Sequence, residues 1–122
     1  MVKFDLENRL INFSVEIIKL SNDIKNTKAG NHLAGQIVRS GTSVSLNYGE
    51  AQSAESKKDF IHKMKIILKE LRETYICLKI IDKSKLLKNE VVLEPLKIEN
   101  NELVSIFVKS ITTAEQNNKL KS

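Results

Sequence analysis

The sequence predicts an all-α fold, an up-down-up-down antiparallel four-helix bundle. Three observations predict it. Apolar residues recur at alternating steps of four and three over long stretches, the period of one helix face. Breakers are scarce, with four Gly and one Pro in 122 residues, too few for a strand-and-turn fold. The periodic segments are joined by short polar stretches, which make consecutive helices antiparallel neighbours. The length suits one domain over 1–122, with helices about 4–25, 31–54, 57–83 and 90–117 and a polar tail over 118–122.

The first segment runs from about Phe4 to Lys25. Leu6, Leu10, Phe13, Ile17, Leu20 and Ile24 form its stripe, and Ile11, Val15 and Ile18 widen it. "NTKAGN" (26–31) breaks the pattern with turn residues. The second segment, about Asn31 to Ala54, places Leu33, Ile37, Val44, Tyr48 and Ala51 on one face. The third, about Lys57 to Lys83, has the cleanest rhythm: Phe60, Met64, Ile67, Leu71, Thr74, Leu78 and Ile81. Ser56, followed three residues later by Asp59, reads as its N-terminal cap. The fourth, about Glu90 to Gln116, carries Leu96, Leu103, Phe107, Ile111 and Ala114, with Val104 and Val108 beside them. Pro95 means that this helix either starts near Glu94 or meets a short helix over 86–93 at a kink.

The second segment is unusual. From Asn31 to Ala54 its only charged residues are Arg39 and Glu50. Gln36, Ser40, Ser43, Asn47 and Ala54 line one side, and Gly35, Thr42, Leu46 and Gly49 another. Small residues let backbones approach, and depleted charge marks an interface core. We therefore expect this helix to be covered by its own bundle and by another subunit, with Arg39, Ser40, Ser43, Leu46, Asn47 and Glu50 as interface candidates. Arg39 and Glu50 lie about 16 Å apart along the axis. They cannot pair within one helix, so they are expected either to pair across a repeated subunit contact or to be solvated at its rim.

Composition bounds the function. The net charge is +5 and the sequence pI about 9.3, which permits an anionic partner such as RNA without requiring one. Cys77 is the only cysteine, so no internal disulfide forms, as suits a reducing cytoplasm. The N-terminus carries Asp5, Glu7 and Arg9 and is not a secretory signal. No apolar run approaches a membrane span of about 20 residues, so no membrane partner is expected. The expected location is the cytoplasm.

No constellation points to an enzyme. His32 and His62 are the only histidines, and with one Cys they make no structural zinc site. Neither follows a Glu by three residues, as a bundle metal site would need. The four glycines are scattered and build no phosphate loop. Cys77 reads as a buried structural thiol. No catalytic residue, metal, cofactor or small-molecule substrate is expected. Glu70 and Glu73, near the middle of the third segment, are polar-contact candidates: Glu70 toward the Ser/Asn side of the second helix or with Arg39 and Glu50. Lys58, His62, Lys65, Lys69 and Arg72 follow four-three steps roughly opposite the core stripe. Such a row suits a phosphate backbone, although no aromatics interleave with it for base stacking. The alternative is a solvated helix face, and with it a protein-interaction adaptor with no nucleic-acid role.

The stretch "QIVRSGTSVSLNYGEAQSAESKKDFIHKMKIILKELRET" (36–74) resembles the signature of the 23S rRNA-intervening sequence proteins, also labelled S23 ribosomal proteins. Arg39, Ser40, Gly41, Ser43, Val44, Asn47, Glu50, Ala51, Ser56, Asp59, Phe60, Glu70 and Glu73 carry the match, and "IENNELVSIFVKSI" (98–111) resembles the family's last helix. The lead-in "KNTKAGNHL" lacks the Leu-Pro often found there. The resemblance implies an all-α bundle, a homopentamer, and an origin beside or within rRNA gene inserts. It implies no assigned activity.

Overall fold

The structure is a computed structural model. It describes residues 5–121, with side chains described for 5–119. Four helices follow in order: α1 (Leu6–Asn22), α2 (Lys28–Gln52), α3 (Lys57–Lys83) and α4 (Leu93–Lys121), the last preceded by a short 3-10 turn (Glu90–Val92). Each of the first three starts at a polar cap. Asp5 accepts from the Asn8 N–H, Thr27 from Gly30, and Ser56 from Asp59, each satisfying one of the unpaired donors of a first turn. Phe4, expected at the start of the first helix, lies outside the described residues.

Contacts between helices fix their directions. Gly30 of α2 lies against Ile24, just past the C-terminal end of α1, and Ser45 meets Ser14 earlier in α1. Arg39 meets Glu73 while Glu50 meets Lys63, and Asp82 meets Lys97 while Lys65 meets Glu115. In each pair, numbers rise along one helix as they fall along the next, so consecutive helices are antiparallel. The loop after α3 is tied back to the first loop. Lys25 N–H donates to Leu86 C=O at 2.7 Å, and the backbone and side chain of Asp23 accept from Lys88 and Asn89 N–H.

The four-three stripes meet in one core. Leu10, Phe13, Ile17, Ile37, Val44, Ile67, Leu71, Leu78, Ile81, Leu103 and Phe107 are all buried in it. Pro95 falls in the first turn of α4, where a missing N–H leaves no intrahelical bond unmade. Of the two alternatives that Pro95 left, the helix starts next to Glu94, at Leu93, directly after the 3-10 turn. The segment 118–121, expected as a polar tail, continues α4. Ile11, Val15 and Ile18, expected to widen the core stripe of α1, point outward instead. The buried arc of α1 ends at Ser14, where α2 packs, and these three residues lie beyond it.

The α1–α2 contact is close because Gly41 carries no side chain. A Cβ at position 41 would meet the fully buried Ile17 side chain at 2.7 Å. Ser14 uses the same gap to donate to the Gly41 C=O at 2.7 Å. Gly41→Val is therefore expected to destabilise the fold by about 1–3 kcal/mol through overpacking. Urea denaturation measures it, and an unchanged midpoint would show that the two helices sit farther apart.

Candidate nucleic-acid and assembly interfaces

A polar seam runs between α2 and α3. At its centre Thr74 Oγ1 and Ser40 Oγ lie 2.8 Å apart in a hydroxyl contact, both fully buried. Thr74 also donates to the Glu70 C=O at 2.8 Å. Both hydroxyls are satisfied, so their burial carries little penalty. Ser40 was expected at a subunit interface; the structure places it inside the protomer, because α3 covers that side of α2.

Arg39 stands at the outer edge of this seam. Its guanidinium donates to Glu70 at 3.2 Å and also to Glu73. The two carboxylates are three residues apart, so they lie on one face of α3. Glu70 is only 9% exposed and needs such a partner. About three turns further along α2, Glu50 accepts from Lys63 at 3.1 Å. Within the protomer Arg39 and Glu50 thus each find a partner on α3, while both side chains stay about half exposed. Asn47 donates to the Ser43 C=O and hydroxyl, so both side chains are engaged within α2.

The outward side of α2 is different. Leu46 is 69% exposed. Nothing lies within 4 Å of a Cβ built at Gly35 or Gly49, so no contact in the protomer requires either glycine. Beyond Ser14, α1 presents the exposed Ile11, Val15 and Ile18. Together these residues make a surface with little charge.

The outer face of α3 carries the basic row. Lys58, His62, Lys65, Lys69 and Arg72 are all exposed. Lys79 and Lys83 continue it toward the C-terminal end, also exposed. Lys65 pairs with Glu115 of α4 at 3.1 Å, and Lys79 lies over the Tyr75 ring. Lys58, Lys69, Arg72 and Lys83 have no ion-pair partner among the described residues.

The reason lies in where the carboxylates of α3 go. Beyond its first turn the helix holds only Glu70, Glu73 and Asp82. Glu70 and Glu73 turn to Arg39 of α2, and Asp82 turns to Lys97 of α4 at 2.6 Å. The hydrogen bond from Lys97 holds the Asp82 carboxyl below its usual range, and the same bond raises Lys97. Each of these acids is thereby neutralised by a neighbouring helix, and the outer face keeps its positive charge. The row itself was legible in the sequence. The contact of Glu70 with Arg39 was one of the two alternatives the sequence offered; the pairs Arg39–Glu73 and Lys97–Asp82 were not among them.

Cys77 is buried, and burial pushes its thiol pKa up, away from nucleophilic reactivity. No group of three or more His, Cys, Asp or Glu among the described residues is placed to hold a metal. Sequence reasoning missed a cleft of about 900 Å³ at one end of the bundle, lined by Leu6, Tyr48, Phe60, Ile61, Met64 and Ile106 among others. It arises where the α2–α3 turn and α4 splay apart, which no pattern of periodicity reveals. No helix among the described residues is long and apolar enough to cross a membrane.

Comparison with known proteins agrees with this architecture. The model of the 23S rRNA-intervening sequence protein family matches residues 3–109. A crystal structure from Bacteroides thetaiotaomicron, described as a protein of unknown function from the S23 ribosomal protein family, is similar throughout. It is 30% identical with a TM-score of 0.79, over 88% of this chain and 98% of that one. No curated protein matches. The family match covers α1, α2, α3 with the whole Arg39–Glu73 seam, and the first part of α4, and the chain belongs to the 23S rRNA-intervening sequence protein family.

Proposed function

We propose that this chain is a non-enzymatic, self-assembling helical bundle of the cytoplasm that binds RNA through the outer face of α3. One observation carries the RNA reading. The three carboxylates that would temper that face are held by Arg39 and Lys97, while Lys58, Lys69, Arg72 and Lys83 stay exposed. Such a row gains affinity by releasing the counterions of a phosphate backbone. The test is titration of a structured RNA at low salt: binding that weakens steeply with salt is expected, and no detectable binding would end the RNA reading.

Assembly is the second half of the proposal. The sequence resemblance carries a homopentamer, and the surface around Leu46, Ile11, Val15 and Ile18 supplies apolar area for it. A ring would repeat the basic row on every protomer and raise weak binding by avidity. Leu46→Asp is expected to reduce the assembly toward monomer, read by light scattering after size separation, because it sets a charge in an apolar contact. An assembly of unchanged mass would move the interface elsewhere. The same apolar surface favours a second reading, an adaptor for another protein with no RNA role. A monomeric wild-type chain that ignores RNA would support that reading.

A further inference from the structure

The RNA reading leaves open which form of RNA the face fits, and the structure bears on this. The row lies along one straight helix. From Lys58 to Lys83 it advances by 25 positions, about 38 Å at 1.5 Å per residue. Lys65, Lys69 and Arg72, and again Lys79 and Lys83, stand about 6 or 4.5 Å apart along the axis, with steps of about 10 Å across His62 and across the exposed Ile76. None of the row's residues lines the cleft at the end of the bundle. Among the described residues no Phe or Tyr ring is fully exposed: Phe13 and Phe107 are buried, and Tyr48, Phe60 and Tyr75 are partly so; His62 is the one exposed ring within the row.

These features separate the two forms. Proteins that hold single strands combine a basic groove with aromatic platforms, and stacking supplies about 1–3 kcal/mol per base. On α3 the row offers a single imidazole, His62, and the Tyr75 ring beside it is partly buried and covered by Lys79. A flexible strand laid along this row would have to be ordered with little stacking to offset the cost. A duplex has its backbone already ordered, and double-stranded RNA is recognised largely through its shape, its phosphates and its 2′-hydroxyls. Its counterion atmosphere is also denser, so each neutralised phosphate releases more: about 0.9 per contact in a duplex against about 0.7 in a single strand.

We infer that the outer face of α3 selects double-stranded over single-stranded RNA and contacts its phosphates without reading sequence. The inference rests on the RNA reading above. Lys58, Lys69, Arg72, Lys79 and Lys83 are the contacts, with Lys65 joining when it leaves Glu115. For about five contacts, the difference in counterion release favours the duplex by about tenfold near 0.1 M salt.

The test titrates the intact protein with a blunt RNA duplex, an unstructured single strand carrying as many phosphates, and a duplex of scrambled sequence. Fluorescence anisotropy is read from low to moderate salt. Both duplexes are expected to bind alike, about tenfold more tightly than the single strand near 0.1 M salt. Lys69→Ala with Arg72→Ala is expected to lower the magnitude of the salt slope by about 1.8 per engaged protomer, equally on both duplexes. A single strand that binds as tightly as the duplex, or more so, overturns this inference and leaves RNA binding standing. So does a strong preference between the two duplex sequences. No binding to any of the three overturns the RNA reading as well.

Discussion

Reversing two charges on the outer face of α3, as Lys69→Glu with Arg72→Glu, is expected to lower RNA affinity by at least about a hundredfold at low salt. The reasoning is electrostatic. Each reversal removes a cation that displaces a counterion and adds an anion that repels phosphate. Both side chains are exposed, and neither has an ion-pair partner among the described residues. The fold should therefore tolerate the change, with helical content and assembly mass preserved. Surface substitutions away from such pairs usually shift stability by no more than about 0.5 kcal/mol. Anisotropy titration of the variant beside the wild type reads the result. Affinity within a fewfold of wild type would show that RNA is held by another face.

Phe107→Ala is expected to produce the largest loss of stability, about 3–5 kcal/mol. Phe107 is fully buried in the core. Its ring meets Tyr48 edge to face, with centroids 6.1 Å apart and planes at 86°, a favoured aromatic geometry. Truncation removes that contact and leaves a cavity between α2 and α4. Against a typical total of about 5–15 kcal/mol, the variant would stand close to unfolding. Urea denaturation at a fixed protomer concentration measures it, since assembly couples stability to concentration. A loss below about 1 kcal/mol would mean that this ring does not hold the core together.

Much of the fold was legible because burial in a bundle follows helical periodicity. Leu10, Phe13, Ile17 and Leu20 show the rhythm plainly, and all are buried. The same signal misleads where it cannot see neighbours. Ile11, Val15 and Ile18 continue the apolar arc of α1, yet no helix of the protomer covers them. Asn100 is the reverse case. It is fully buried, with neither amide atom partnered among the described residues, and a reading that turns polar residues outward cannot place it. The polar composition over 118–121 suggested an end to the last helix, but α4 runs on to Lys121, since propensity is a weak guide at helix ends.

The candidate site was legible in a similar, partial way. Lys58, His62, Lys65, Lys69 and Arg72 share one face because spacing along a single helix decides it. What Arg39 and Glu50 meet depends on the register between α2 and α3. One step of that register sends Arg39 to Glu70 and Glu73, and Glu50 to Lys63. Ser40 shows the same limit. A small polar residue on a low-charge helix reads equally as an outward contact or as an inward hydroxyl, and only the presence of Thr74 opposite it decides between them.

The most direct test of the account is lysine footprinting of the native assembly, with and without a bound RNA duplex. Acetylation at each lysine is read by mass spectrometry. The account predicts protection at Lys58, Lys69, Lys79 and Lys83, on the outer face of α3. Lys28 on α2 and Lys88 in the loop before α4, exposed elsewhere on the protomer, should react as before. Protection centred on Lys28 or Lys88, with the α3 lysines unchanged, would contradict it.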